Sequence, residues 1–222
     1  MESANHQLPP GERTPASWYF DFISPFSYLQ LGKVREWRQR LDVTPVPVAF
    51  GAVLNHTGSV GPAEVRGRRE FTYRFVQWQA ERAGIALRFP PAHPFNPLAA
   101  LRLCIAAGTS WAAVEAIYAH LWREGRAGTS AAELVDVGAA LGIADVAGAI
   151  EAAPVKAALR ANTERAIANG VFGVPTLQLG AELFWGNDAS AMVEDYLVDR
   201  TRFGSDEYRR IAALPIGVER RR

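Results

Sequence analysis

Cysteine is almost missing from this sequence. Cys104 stands alone, so no intramolecular disulfide can form and a zinc cluster built on thiolates is excluded. An excess of one charge is missing too: the formal net charge is +1, which gives no electrostatic case for nucleic acid or a membrane surface as a partner. No apolar run reaches the roughly 18 residues that a membrane span requires. The four histidines, His6, His56, His93 and His120, are scattered without metal-ligand spacing, and no metal site is expected. The opening stretch MESANHQLPPGERTP lacks the apolar core of a signal peptide and reads as a flexible tail. With no export signal and no disulfide potential, the cytoplasm is the expected compartment.

What is present is an ordinary globular composition, 49% hydrophobic and 21% charged, enough to build a buried core. Ser17 to Ile23, SWYFDFI, is aromatic-rich and suits a buried strand. Ser24-Pro25 then signals a helix start, with serine as N-cap and proline at the first helical position. Leu31, Val34, Trp37 and Leu41 recur at helical steps and predict one buried face. Val43 to Phe50 predicts a second strand, which Pro45 and Pro47 confine to an edge. Strand, helix, strand makes a βαβ unit.

From about Pro62 to Asn169 the pattern is helical throughout. Phe71, Phe75, Trp78 and Arg82 form one predicted buried stripe, with the arginine stem covering its end. Leu98, Leu101 and Cys104 form a second, and Trp111, Val114, Ile117 and Leu121 a third. Ser130 and Glu133 read as a capping box for a helix through Leu134, Val137 and Leu141 to Gly142, and Pro154 opens another. Strand character returns over Val174 to Leu179 and Glu182 to Trp185, and a last helix is expected from Asn187-Asp188 through Met192, Tyr196 and Leu197. The order βαβ, helical block, ββα is that of a thioredoxin fold opened after its second strand by a helical insertion, an α/β architecture. The expected organisation is a tail over 1–16, a thioredoxin-like domain over 17–58 and 170–202, a helical insertion domain over 59–169, and a C-terminal tail over 203–222.

Three blocks carry a resemblance: Tyr19 to Leu29 (YFDFISPFSYL), Gly170 to Thr176 (GVFGVPT) and Leu183 to Asp188 (LFWGND). Together, in this order, they resemble the 2-hydroxychromene-2-carboxylate isomerases, which group with the kappa-class glutathione transferases inside the DsbA-like proteins. The tetrapeptide Ser24-Pro25-Phe26-Ser27 stands where a redox relative has two cysteines, so disulfide exchange through the protein's own sulfur is impossible. A helix N-terminus still favours an anion, and the resemblance implies that the anion is the thiolate of glutathione, with Ser24 as catalytic donor to its sulfur. Read locally, Ser24 is an N-cap worth about 1 kcal/mol.

The resemblance further implies a cis bond at Val174-Pro175, which would leave the Val174 backbone free to pair with glutathione as a short added strand. Gly186, Asn187 and Asp188 would hold the γ-glutamyl end, helix N–H groups meeting its carboxylate and Asp188 its ammonium. Capping of the last helix is the alternative role for Asn187 and Asp188. The segment Gly51 to Pro62 resembles the family's substrate loop but carries Asn55 and Ser59 where relatives have lysine and asparagine. Ser59 is placed with the glutathione set, and Asn55, His56, Phe71 and Arg74 with the substrate. His56, Arg68, Arg69 or Arg74 would replace the lost cation, and Phe71, Tyr73 or Trp78 would line an aromatic pocket. Asp21 reads as a structural hydrogen-bonding residue or one that tunes local protonation, and Cys104 as a core thiol. The implied reaction is thiolate addition to a conjugated carbonyl carbon, rotation about the resulting single bond and elimination, which isomerises an aromatic keto acid; the implied assembly is a homodimer. Stable conjugation by a kappa-type transferase, or an inactive thioredoxin-like binding module, are the alternatives.

Overall fold

The computed structural model of the protein describes residues 13–218. Residues 1–12 of the tail expected over 1–16 and the basic end at 219–222 lie outside them, while Thr14, Pro15 and Ala16 of that expected tail are strand. The first strand, β1 (Thr14–Phe20), leads through a turn into α1 (Pro25–Trp37) and then β2 (Leu41–Pro47). β1 begins before the aromatic run does, because Thr14, Pro15 and Ala16 pair in parallel with Leu41, Asp42 and Val43. Leu41 therefore opens the second strand instead of closing the buried face of α1. Leu31, Val34 and Trp37 are buried on that face, as their spacing predicts.

α2 (Phe50–Thr57) occupies much of the segment expected as a loop. Ala52, Val53 and Leu54 suffice to propagate it, and Gly58 stops it at φ 63°, a left-handed conformation that glycine adopts without penalty. The helical stretch continues with α3 (Arg68–Ala83), α4 (Leu98–Ala106), α5 (Trp111–Tyr118), α6 (Val135–Ala140), α7 (Val146–Glu151) and α8 (Ala153–Ala168). Asp145 caps α7 by accepting from the Gly148 N–H at 2.8 Å, a start that hydrophobic spacing did not signal. The hairpin β3 (Thr176–Leu179) and β4 (Glu182–Trp185) follows, then α9 (Ser190–Val198). Within the expected C-terminal tail, residues Asp206–Ala212 form a short exposed helix, α10.

The strands form one mixed sheet in the order β2-β1-β3-β4, with β1 parallel to β2 and antiparallel to β3. β2 is at an edge, where prolines at 45 and 47 break no internal ladder. This is the α/β thioredoxin arrangement that the order of elements in the sequence predicts. Strand alternation divides the core. Ala16, Trp18, Phe20, Leu177 and Phe184 face the larger cluster, which runs through α1 into α4, α5 and Val193 of α9. Tyr19 points the other way, into a smaller cluster with Val48, Ala166 of α8, Val171 and Val174. Both faces of the sheet are thus covered, and Cys104 is a fully buried core thiol that burial pushes up in pKa.

One predicted stripe is turned outward. Phe71 and Trp78 of α3 are 59% and 49% exposed, while Val76 and Ala80 are the buried positions of that helix. Helical spacing reveals an apolar face without revealing what it faces. Here the face is a ladder of rings, Phe71 stacked on Phe75 at 5.9 Å and Phe75 on Trp78 at 5.8 Å, with the Arg82 guanidinium 5.2 Å from the Trp78 ring. No helix among the described residues is long and apolar enough to cross a membrane.

Candidate functional site

The site starts where β1 leaves the sheet. Beyond Phe20 the carbonyls lose their strand partners, and side chains from the helical stretch replace them. The Tyr118 hydroxyl donates to the Asp21 carbonyl at 3.0 Å, Trp122 Nε1 to the Phe22 carbonyl at 2.7 Å, and His93 Nε2 lies 2.9 Å from the Ile23 carbonyl. The Asp21 side chain grips the same turn from inside. Its Oδ1 accepts from the Ile23 N–H at 3.0 Å and its Oδ2 from the Phe50 N–H at 2.8 Å. Asp21 is wholly buried, and burial raises its carboxyl to about 7 against the opposing pull of those N–H donors.

Ser24 is the N-cap of α1 with Pro25 at the first helical position, as the sequence predicts. Its Oγ accepts from the Ser27 N–H at 3.2 Å and lies 3.5 Å from the Val174 carbonyl, a distance that holds its proton only weakly. Ser24 faces an apolar cleft of about 840 Å³, whereas Ser27, the last residue of the tetrapeptide, is fully buried and does not reach it. Val174–Pro175 is cis, and among the described residues the Val174 N–H has no partner.

Two glycines close this side. A Cβ on Gly173 would lie 2.2 Å from Trp185 Nε1, so only glycine lets the indole pack there. Gly186 has φ 95°, donates its N–H to the Pro175 carbonyl at 2.8 Å and accepts from Gln30 Nε2 at 2.9 Å. Gln30 in turn accepts from Trp18 Nε1 at 2.8 Å, fastening this turn to α1 and the sheet. Asn187 and Asp188 lie in the turn before α9, whose first residue is Ser190. The Asn187 carbonyl accepts from the Ser190 N–H and hydroxyl, so the expected side-chain cap is replaced by a backbone turn. Asn187 Nδ2 reaches Gln79 Oε1 across the cleft at 3.4 Å, and Asp188 carries no ion pair among the described residues.

The cleft brings together Ser24, Phe71, Val174, Gly186, Asn187 and Asp188 from the residues singled out in the sequence. Pro175 is adjacent through its peptide bond to Val174. Asn55, His56, Ser59 and Arg74 do not line it. The reason is helical: α2 presents Phe50, Gly51 and Leu54 to the cleft, so Asn55 and His56 point elsewhere, and Ser59 follows the Gly58 stop as an exposed residue. On α3 the cleft face is Arg68, Phe71, Thr72, Phe75 and Gln79, which excludes Arg74. Arg69 Nε is committed to the Ala63 carbonyl at 2.8 Å. Arg68 is the cation in the lining. Gln30 and Gln79 went unnoticed in the sequence, and His93 was noted only as a histidine without metal-ligand spacing. His93 carried one faint signal, its place in the proline-rich run PPAHPFNP, which must cross the surface between α3 and α4. The arrangement can hold an anion at the N-terminus of α1, pair an extended backbone at Val174 and meet a cation at Asp188.

Residues 17–198 match the DSBA-like thioredoxin domain family. The chain is 30% identical over 196 residues to a 2-hydroxychromene-2-carboxylate isomerase of Pseudomonas putida, covering 85% of this chain and 97% of the relative. It is 24% identical over 209 residues to glutathione s-transferase kappa 2 of Caenorhabditis elegans, covering 84% and 93%. Among solved structures, a 2-hydroxychromene-2-carboxylate isomerase superposes with TM-score 0.72 at 27% identity, covering 87% of this chain and 98% of that one.

The Asp21 carboxyl sets a stability slope with pH. The unfolded carboxyl ionises near 4, but the folded one holds its proton to about 7. Folding therefore costs nothing extra below about 4, loses stability progressively between about 4 and 7, and stays at the lower level above. The Asp21→Asn variant loses that slope, because an amide does not titrate. Urea denaturation at pH 4.5 and pH 8 is expected to show the variant's deficit shrinking at the higher pH, by at most about 4 kcal/mol. Parallel curves for both proteins would refute the assignment.

Proposed function

The chain belongs to the DSBA-like thioredoxin domain family, alongside the 2-hydroxychromene-2-carboxylate isomerases and kappa-class glutathione transferases, and we propose that it is a glutathione-dependent isomerase of a conjugated aromatic acid. The observation that carries this reading is the placement of Ser24: a serine hydroxyl at a helix N-terminus, opening on an aromatic cleft and beside an unpartnered Val174 N–H.

The residues present fit the cysteinyl and γ-glutamyl parts of glutathione. The Val174 backbone suits the cysteinyl segment as an added strand. The unpaired Asp188 carboxylate suits the γ-glutamyl ammonium, and Asn187 and Gly186 flank the same end. When bound, glutathione supplies a thiolate nucleophile that adds to the substrate and is released again. The chain's own contribution is electrostatic. The N-terminal N–H groups of α1 stabilise negative charge on the sulfur, and Ser24 donates the hydrogen bond that its weak contact with the Val174 carbonyl leaves available. The redox path of the fold is closed, since neither Ser24 nor Ser27 can form a disulfide.

The substrate side of the cleft is made by Phe26, Phe50, Phe71, Phe75 and Phe95, with Arg68 at the start of α3. Stacked rings offer a flat surface to an aromatic acid, and Arg68, one of the four cations expected for the role, takes the carboxylate in place of His56, Arg69 or Arg74. Conjugation, as by a kappa-type transferase, uses the same thiolate; the kappa relative favours it, and product analysis separates the two.

Ser24→Ala is expected to keep its glutathione dissociation constant within about tenfold, the worth of one neutral hydrogen bond. Its kcat is expected to fall by about a hundredfold or more, because the lost donor acts when charge on the sulfur is greatest. Titration calorimetry and steady-state turnover measure the two, and normal turnover would reduce Ser24 to a cap. Asp188→Ala is expected to do the opposite, raising the glutathione KM by about tenfold with kcat little changed, since it meets an end remote from the sulfur. A wild-type KM in a folded variant removes Asp188 from the site.

A further inference from the structure

The Ile23–Ser24 peptide is gripped at both ends. The Ser24 N–H donates to the Asp21 carbonyl at 3.0 Å, and the Ile23 carbonyl faces His93 Nε2 at 2.9 Å. A peptide group is planar, so fixing its C=O and N–H fixes the plane from which the Ser24 side chain departs. Of the three donors that hold this turn, Tyr118, Trp122 and His93, only His93 also lines the cleft.

The imidazole is held in one tautomer. A carbonyl oxygen only accepts, so Nε2 must carry the hydrogen that meets Ile23. The Tyr73 hydroxyl donates its one proton to the His93 carbonyl at 2.6 Å and so anchors the backbone of residue 93. Its oxygen lies 2.8 Å from Nδ1, beside the ring. Tyr73, Phe89, Phe95 and Trp122 surround the ring at centroid distances of 5.2, 6.1, 6.1 and 5.4 Å. Burial, which lowers the His93 pKa, favours the neutral ring, whose one N–H is then the one that meets Ile23.

We propose that His93 is the positioning residue for Ser24: its Nε2–H, held against the Ile23 carbonyl while Tyr73 anchors the His93 backbone, sets the Ile23–Ser24 peptide plane and so aims the Ser24 hydroxyl and the first N–H groups of α1 into the cleft. His93 acts through the backbone and touches no reacting atom. Its effect on turnover rests on the isomerase reading above; its effect on the geometry at position 24 does not.

Two variants separate donor from ring. His93→Gln keeps an amide N–H where Nε2 was, and His93→Phe keeps a ring without a donor. With glutathione and substrate, His93→Phe is expected to lower kcat by about tenfold with the glutathione KM within about twofold, and His93→Gln to recover most of that loss. The second readout needs no substrate. In the S24C background, the thiol pKa followed by thiolate absorbance is expected to rise by about half a pH unit or more on adding His93→Phe, and to stay put on adding His93→Gln. Buried Cys104 contributes a constant. The third readout is the imidazole nitrogen spectrum of the wild type, in which the signal lost in His93→Gln is expected to be that of an Nε2–H tautomer.

Equal losses in both variants would mean that the ring itself matters and would overturn the proposal. So would an Nδ1–H tautomer, or a fall in melting temperature alone with kcat and thiol pKa unmoved. Should His93→Phe not fold, Tyr73→Phe replaces it: releasing the His93 backbone is expected to shift the ring signal and raise the S24C thiol pKa, and no change in either overturns the proposal. If the wild type shows no glutathione-dependent turnover, the isomerase reading falls, and the thiol pKa and tautomer decide the positioning role by themselves.

Discussion

A strand that stops pairing inside a protein leaves carbonyls without partners, and an unsatisfied buried polar group costs about 1–3 kcal/mol. That constraint governs the turn from β1 into α1. Three successive carbonyls, those of Asp21, Phe22 and Ile23, must be satisfied in a region walled by aromatic rings. Tyr118, Trp122 and His93 satisfy them, and all three come from the helical stretch between β2 and β3. The sheet provides the direction of the helix that begins at Ser24, while the helical stretch provides the donors that let the chain turn there. Neither part alone completes the end of α1.

The opposite wall of the cleft depends on close approach. Gly173 lets the Trp185 indole lie against the backbone before Pro175, and Gly186 adopts a left-handed conformation that passes its N–H to Pro175 and its carbonyl to Gln30. Since Gln30 also binds Trp18, a chain of hydrogen bonds runs from the middle of β1 through α1 to the turn holding Asp188. The two ends of the candidate site are thereby tied to the same strand. A rigid spacing of this kind suits a ligand that must be held at one end and react at the other.

The buried carboxyl of Asp21 and the exposed ring ladder of α3 represent opposite uses of the same material. Asp21 is polar and buried because two backbone N–H groups need an acceptor, that of Ile23 in the turn before α1 and that of Phe50 at the start of α2. Phe71, Phe75 and Trp78 are apolar and open because their helix buries its other side through Val76 and Ala80. Large exposed rings beside a cleft are unusual on a surface with no use for them.

The sequence by itself determined the local events. The N-cap at Ser24, the proline at the first helical turn, the edge position of β2, the hairpin after Gly173 and the burial of Cys104 all follow from short-range rules of capping, dihedral restriction and periodicity, and each appears where those rules put it. Three blocks in order were enough to indicate the family and, with it, the Val174–Pro175 bond. Tertiary structure alone decided what meets what. The segment from Phe50 to Thr57 is a helix, and a helix shows one face only, so Leu54 reaches the cleft while its neighbours Asn55 and His56 do not. Arg68, not Arg74, lines it for the same reason on α3. His93, far along the chain from Ser24, bears on it because Tyr73 anchors its backbone and its ring meets the Ile23 carbonyl. Spacing along a chain encodes which side chains share a face; the direction of that face is set only when helices pack.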